Sequence, residues 1–498
     1  MLFNLTWINK HRFFEILPGL LVWLTFTLAI VISFIRPIWA IYFIIVFDTL
    51  WLVRVYYLTV HLLVSYANFR KGLKVDWLEK VKSLTAKNWT GYWHLVFLPT
   101  YQEPFSVIDK TFSALKNSDY PKNHLIVVLA GEERDRANFL NIAEQITEKY
   151  HSHFLKIFVT LHPKNLPNEI PGKGSNLNYA GHQAKILIDE LKIPYEKVIV
   201  SAFDIDTQVY PQYFSYLTYK YLTHSKPTRA SYQPLALYHN NIWESDPVTR
   251  VVANSTTFWL LTDLARNERL FTFSSHSMSF KALVDVDFWQ KDIVTEDSRI
   301  FLQCLFKYDG DYEVVPMYIP VSMNTVYSGN FWHGLASQYR QMRRWAWGVE
   351  HIPYMIKQFK EHPHMPLKKK MYYYWNQSEG VYSWATAPIL IFIMGRLPLL
   401  LANKVTQASV VAQNAPIILE WLMNSAMVGL VISAIISTVI LPKKPENKSW
   451  FYYPIMLLQW IIFPLTMIIF GSIPATDAQT RMMLGKRFKL GFWVTKKR

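Results

Sequence analysis

Apolar residues gather at the two ends of the chain and thin out in its middle. From Phe13 to Ile35 the run is almost continuously apolar, long enough as a helix to cross a hydrocarbon core of about 30 Å. After Arg36-Pro37 a second run extends from Ile38 to about Val64, interrupted by Asp48 and Arg54. Those two charges lie six residues apart, on different helical faces, so each is expected to face protein or water. Lys10, His11 and Arg12 resemble the charged start of a signal peptide, but the apolar run is too long, lacks an A-x-A site and meets another span at once. It reads as a retained anchor. Ile417 to Leu441 and Phe451 to Gly471 predict two more spans, the first carrying Glu420 near its start. Ala385 to Ala402 is weaker, because Pro388, Arg396 and Pro398 interrupt it, and reads either as a span or as a segment lying in the interface. Basic residues flank the first pair on both sides (Lys10, Arg12, then Arg70, Lys71, Lys74), which puts both its ends in the cytosol.

Between Ser65 and about Lys370 charges are dispersed and strand and helix patterns alternate. His94–Leu98, His124–Ala130, Phe154–Leu161 and Lys197–Phe203 are short apolar or β-rich runs. Phe105–Leu115 has helical spacing, with Phe105, Ile108, Phe112 and Leu115 on one side, and Asn176–Leu191 reads as another helix. Such alternation predicts βαβ units and a mainly parallel sheet, whose ligands sit at the carboxyl ends of the strands. Chemistry is therefore expected just after Leu98, Ala130, Leu161 and Phe203.

Composition agrees with this division. Hydrophobic residues make up 51% of 498 residues and charged ones 18%, below the soluble norm of about 25%, which excludes a disordered chain. The net charge of +16 points to nucleic acid, anionic lipid or phosphate-bearing substrates. The basic residues are scattered and partly beside the spans, so nucleic acid is not expected as a partner. A large polar middle without paired inverted repeats argues against a transporter. The single cysteine, Cys304, excludes an intramolecular disulfide and sits in an apolar stretch suited to core packing.

The polar signals fall where the strands end. Asp204-Ile205-Asp206 follows KVIVSAF, and alternate residues on an extended backbone let both carboxylates reach one ligand, a donor set for Mg²⁺ or Mn²⁺ holding a diphosphate. Thr295-Glu296-Asp297 opens an apolar helical run; it is either a helix start or a source of a carboxylate that accepts a proton from an attacking hydroxyl. Gln341-Met342-Arg343-Arg344-Trp345 offers an arginine for phosphate oxygens and a flat apolar face for a sugar ring, on a helix that also suits an anionic lipid surface. Gly172-Lys173-Gly174-Ser175-Asn176 resembles an anion site at a helix N-terminus without P-loop spacing. The hydroxyl-rich run around Ser275 and His276 lacks the G-x-S-x-G elbow of a serine nucleophile and reads as a polar loop touching a sugar.

Taken in order, Pro99-Thr100-Tyr101-Gln102-Glu103-Pro104, GKGSNLN, Asp204-x-Asp206, Thr295-Glu296-Asp297 and Gln341-x-x-Arg344-Trp345 resemble glycosyltransferase family 2, and within it the membrane-embedded cellulose synthase-like and hyaluronan synthase-like enzymes. Phe492-Trp493-Val494-Thr495-Lys496-Lys497 resembles the F-x-V-T-x-K gating loop of cellulose synthases. The resemblance implies a GT-A-type, Rossmann-like α/β cytosolic domain inserted between α-helical transmembrane segments. It implies a plasma-membrane, multi-pass inverting enzyme that moves a sugar from a nucleoside diphosphate sugar, most often UDP-linked, to a growing polysaccharide; the alternative is a single transfer to a membrane lipid or other acceptor. By the same resemblance Tyr101 and Glu103 lie near the nucleoside, Lys173 near the nucleotide, and Asp204 near the diphosphate. Asp206 holds Mg²⁺ or Mn²⁺, and Asp297, beside Glu296, is the general base. Gln341, Arg344 and Trp345 hold diphosphate and acceptor, Ser275 and His276 touch the acceptor, and Thr495 and Lys497 cover the nucleotide.

The chain departs from the family where most members carry Asp-Asp-Gly or Asp-Asp-Ser after the second strand; here stands Ala130-Gly131-Glu132-Glu133, so either Glu132 or Glu133 takes that place with a longer reach, or the base is recognised differently. The expected organisation is a membrane hairpin over 1–64, the catalytic domain over 65–325, amphipathic helices over 326–384, membrane or interfacial segments over 385–473 and the tail over 474–498. With the Arg396 segment interfacial, two spans follow the catalytic domain and the tail returns to the cytosol. No PilZ-like regulatory extension is expected.

Overall fold

A computed structural model describes residues 2–84, 87–327 and 329–491. The tail motif, with Thr495 and Lys497, lies outside the described residues.

The middle of the chain is a mixed α/β unit built on an eight-stranded sheet. Its strands are β1 (Trp93–Pro99), β2 (Leu125–Glu132), β3 (Lys156–His162), β4 (Val198–Ala202), β5 (Gln208–Val209), β6 (Ala230–Leu237), β7 (Ser277–Ser279) and β8 (Glu313–Ser322), in the order β3-β2-β1-β4-β7-β6-β8-β5. The first four are parallel, as the alternating pattern predicts. The mainly parallel expectation holds for β6 and β8 as well, which pair in parallel; two short strands depart from it, β7 running antiparallel to both β4 and β6, and β5 antiparallel to β8. β7 is a three-residue serine-rich strand with no apolar run to announce it. β8 contains Pro316 and Pro320 and pairs with β6 across a register shift at Pro234/Leu235, features that mask a strand in sequence.

β2 is buried at every position, as expected for a strand covered on both faces. The Phe105–Lys116 helix packs Ile108, Phe112 and Leu115 inward. Burying a side chain such as Phe112 contributes about 1.5–3 kcal/mol. Cys304 joins the same core, and burial pushes its thiol up to about 12, which keeps it protonated and unreactive. The register sets Pro99 beside Ala130 and Phe97 beside Ala202, and the Thr100 N–H closes onto the Ala130 carbonyl at 2.8 Å. The carboxyl ends of β1, β2 and β4 thus lie side by side.

Among the described residues four helical segments are long and apolar enough to cross a membrane: His11–Ile35, Pro37–Gly72, Val410–Ile440 and Tyr452–Leu484. The first two are parted at Arg36, whose extended φ of −141° precedes Pro37 at the start of the next helix. The second helix runs on to Gly72, past the expected boundary near Val64, because nothing between them breaks it. The Ala385–Ala402 segment is the end of a longer helix, Leu367–Met394, followed after Gly395-Arg396 by a short turn of helix at Leu397–Leu401. It does not count among the four. Arg54 pairs with Glu379 of the Leu367–Met394 helix and lies 5.0 Å over Trp51, so this charge within a long apolar helix faces protein.

Candidate active site

A cavity of about 1820 Å³ opens at the carboxyl ends of β1, β2 and β4 and reaches the long apolar helices. Tyr101, Glu103, Glu132, Lys173, Asp204, Asp206, Asp297, Gln341, Arg344 and Trp345 all line it.

Lys173 is the centre of its polar end. It is the first residue of the Lys173–Glu190 helix. Its Nζ lies 2.8 Å from Asp204 Oδ1, 2.9 and 2.8 Å from the two Asp297 oxygens, and 3.8 Å from Glu296. Burial alone would lower this ammonium, but the charges of Asp204, Asp297 and Glu296 outweigh it and hold the pKa above the ordinary lysine value. Gly174 lets the helix start come this close: a Cβ there would stand 3.0 Å from the Gln290 carbonyl and 3.2 Å from Glu296 Cβ.

The adjacent acids are separated by their surroundings. Asp297 faces the cavity, while Glu296 is 1% exposed beneath it. Burial, then the Asp297 charge, raise the Glu296 pKa well above the usual carboxylate range. Thr295 does not cap the helix with its side chain; its hydroxyl donates to Glu350 at 2.8 Å. Ser298 meets His351 Nε2 at 2.8 Å, and Trp347 donates to Glu350 at 3.0 Å. These bonds fix the start of the Glu296–Lys307 helix against the segment that follows the Phe331–Ala346 helix, on which Gln341, Arg344 and Trp345 stand. Trp345 and Tyr238 rings lie 6.0 Å apart on the same wall.

Asp204 accepts from the Ser274 hydroxyl at 2.7 Å, and Asp206 accepts from the Asn324 N–H at 2.8 Å. Among the described residues no three acids, histidines or cysteines form a preformed ion site. One carboxylate with diphosphate oxygens and water completing the shell is how Mg²⁺ is held at nucleotide sites, and Asp206 in this cavity fits that donor set.

At the other polar corner, Glu103 accepts from Thr100 Oγ1 at 2.7 Å and from the Tyr101 N–H at 2.6 Å, shaping the loop after β1. Glu132 pairs with Arg134, whose guanidinium lies 4.4 Å over the Tyr101 ring. Of the two glutamates proposed from sequence, Glu132 faces the cavity, whereas Glu133 turns away to accept the Lys164 N–H at 2.9 Å.

The acceptor-side expectation for Ser275 and His276 is corrected. Both are fully buried and neither lines the cavity. Ser275 takes a φ of +67°, anchored by its hydroxyl on Thr207 at 3.1 Å, and this turn presents Ser274 instead. His276 Nδ1 bonds the Phe273 carbonyl at 3.0 Å, and burial lowers its pKa, keeping the ring neutral behind Asp297. Sequence reasoning missed Ser274, Asn324, Arg134 and Glu350. Ser274 sat within the flagged run; the others carry no local pattern.

No family model and no curated protein matches the sequence. Solved structures that resemble the fold include the mannosyltransferase PcManGT from Pyrobaculum calidifontis, in complex with GDP-Man and Mn²⁺, at a TM-score of 0.39 and 14% identity over 78% of this chain and 99% of that one. Another is residues 1–349 of TarS from S. aureus in complex with UDP-GlcNAc, at 0.35 and 13% over 70% and 91%.

Proposed function

We propose that the protein is an inverting membrane glycosyltransferase of the family 2, cellulose synthase-like kind, moving a sugar from a nucleoside diphosphate sugar, UDP-linked by preference, to a hydroxyl acceptor. The observation that carries this reading is the convergence of Asp204, Asp206, Asp297, Lys173 and Arg344 on one cavity that continues among the membrane helices.

The nucleoside end is the corner of Tyr101, Glu103 and Glu132, and the diphosphate extends toward Asp204, Lys173 and Arg344. Cleaving the sugar–phosphate bond leaves negative charge on the diphosphate, which the Lys173 ammonium and Arg344 guanidinium stabilise. Asp297 accepts the proton of the attacking hydroxyl as that oxygen bonds to the sugar carbon from the side opposite the leaving group, which inverts the centre. Asp206 would hold Mg²⁺ or Mn²⁺, which when bound neutralises diphosphate charge.

Trp259, Trp345 and Trp384 along the wall suit a sugar chain, which supports a growing glycan as acceptor. The apolar far end of the cavity supports a lipid carrier for it. Four spans, two before and two after the catalytic domain, would leave both termini in the cytosol with that domain.

The test is a screen of UDP- and GDP-linked sugars with protein purified in detergent, reading nucleotide release and product mass; release from none of them sinks the reading. Chelation with EDTA is expected to cut release by about tenfold or more, with recovery on adding Mg²⁺ or Mn²⁺. In sealed vesicles, a tag after Arg498 is expected to share the protease accessibility of the catalytic domain. Opposite accessibility would place an odd number of crossings between them.

A further inference from the structure

A second group of charges lines the same cavity where the catalytic domain meets the membrane helices. Arg54 comes from the Pro37–Gly72 helix, and Arg266 and Arg269 from the turn after the Pro247–Leu264 helix; all three line the cavity. Arg266 is 5% exposed, bonds Asp263 at 2.8 Å, and lies 5.2 Å over the Tyr57 ring of the membrane helix. Its Nε has no hydrogen-bond partner among the described residues. Arg54 and Arg269 share Glu379, the second at 3.8 Å, and Glu379 does not itself line the cavity. The three guanidiniums share Asp263 and Glu379, with Glu268 close to Asp263, and Arg266 is the deeply buried one of the three. Burial first, then the Arg266 charge, lower the Arg269 pKa, as expected for cations crowded together out of water.

A buried guanidinium N–H without a partner is costly unless an acceptor completes it, and guanidinium forks match phosphate oxygens. Beyond the cluster most of the cavity wall is apolar (Val55, Leu58, Phe392, Met423, Met427 and Leu430, from the long apolar helices), with Asp48, Arg396 and Glu420 set into it. A polar reaction site, a basic seam and an apolar arm together match a molecule with a hydroxyl, an anionic group and a hydrocarbon chain.

We propose that the acceptor is a lipid whose phosphate or diphosphate headgroup binds Arg54, Arg266 and Arg269, with its chain between the membrane helices and its hydroxyl directed at Asp297. This rests on the glycosyltransferase reading and names the acceptor class for that site. In the transfer the acceptor O–H bond breaks, its proton passes to Asp297, the oxygen bonds to the sugar carbon, and the electron pair of the broken sugar–phosphate bond leaves with the nucleoside diphosphate. No other reactant is required.

The experiment uses the full chain in detergent with the donor found by screening. The probes are polyprenyl-diphosphate-linked N-acetylglucosamine and phosphatidylglycerol, compared with a neutral diacylglycerol glucoside and a water-soluble oligosaccharide. The expected result is turnover with at least one anionic lipid, at least tenfold above both neutral acceptors. The double variant Arg266→Gln/Arg269→Gln is expected to raise KM for that lipid at least tenfold with donor KM unchanged, and Arg266→Lys/Arg269→Lys to restore most of it. Equal or better use of the glucoside or the oligosaccharide overturns the proposal, as does a double variant that shifts donor and lipid KM alike. Nucleotide binding, followed by calorimetry with UDP and GDP, separates the two levels. Bound nucleotide with neutral-acceptor preference overturns the lipid assignment alone; absence of any nucleotide binding overturns the sugar-transfer reading and this inference with it.

Discussion

Asp297→Asn is expected to lower sugar transfer by about 10²–10⁴-fold while nucleotide still binds. The substitution keeps the shape of a side chain that faces the cavity from the first turn of its helix, but an amide cannot take up the acceptor proton. The surroundings that position residue 297 remain: Thr272 still donates to its backbone carbonyl at 2.6 Å, and the Thr295–Glu350 bond still holds the helix start. Glu296→Gln should cost far less in rate, because that carboxyl is buried under the cavity floor. Nucleotide release and product mass give the rate, and calorimetry gives the affinity. Near-normal turnover by Asp297→Asn removes it as the base.

Lys173→Met is the change with the largest expected cost in stability. It takes away the ammonium that meets Asp204 and Asp297 at 2.8 Å and leaves both carboxylates, with Glu296 behind them, repelling one another. Removing one partner of a buried ion pair typically costs about 3–5 kcal/mol. Because the folded pKa of Lys173 is raised, its stabilisation is complete below the ordinary lysine value and fades only as pH rises toward the higher folded one. Glu296, raised to about 7, gains its charge between pH 6 and pH 8, so the defect should be larger at pH 8 than at pH 6. A thermal melt in detergent should show a clear downward shift for Lys173→Met. Adding Asp204→Asn in the same chain should recover part of it, since one unpaired charge is then gone. An unshifted melt for the single variant shows that these contacts do not support the fold.

Much of this layout is legible in sequence because its physics is local. The parallel half of the sheet announces itself through runs such as HLVFL and KVIVSAF, and the membrane helices through length and apolarity. Lys173, Asp204 and Asp297 were legible as signals near strand or helix ends, but their meeting at one ammonium was not, since positions 173, 204 and 297 are joined only by the folded sheet. The later strands were hidden for a different reason: β7 is too short and β8 too proline-rich for a periodicity to show. Ser275 and His276 illustrate the converse. Residue type suggested contact with a sugar, while a left-handed backbone turn buries both and brings Ser274 forward.

The helix that carries Gln341, Arg344 and Trp345 is fastened to the last apolar segment. Arg343 and Tyr339 meet Asp477 at 2.8 and 3.1 Å, and Arg481 holds the same carboxylate from the other side at 2.6 Å. Where Arg344 stands therefore depends on how the 452–484 segment sits, through Asp477 and through the packing of Met342 on Phe470. In the proposed membrane enzyme, acyl-chain length and lateral pressure would reach the transfer site along this path, which would make the bilayer part of its tuning as well as its container.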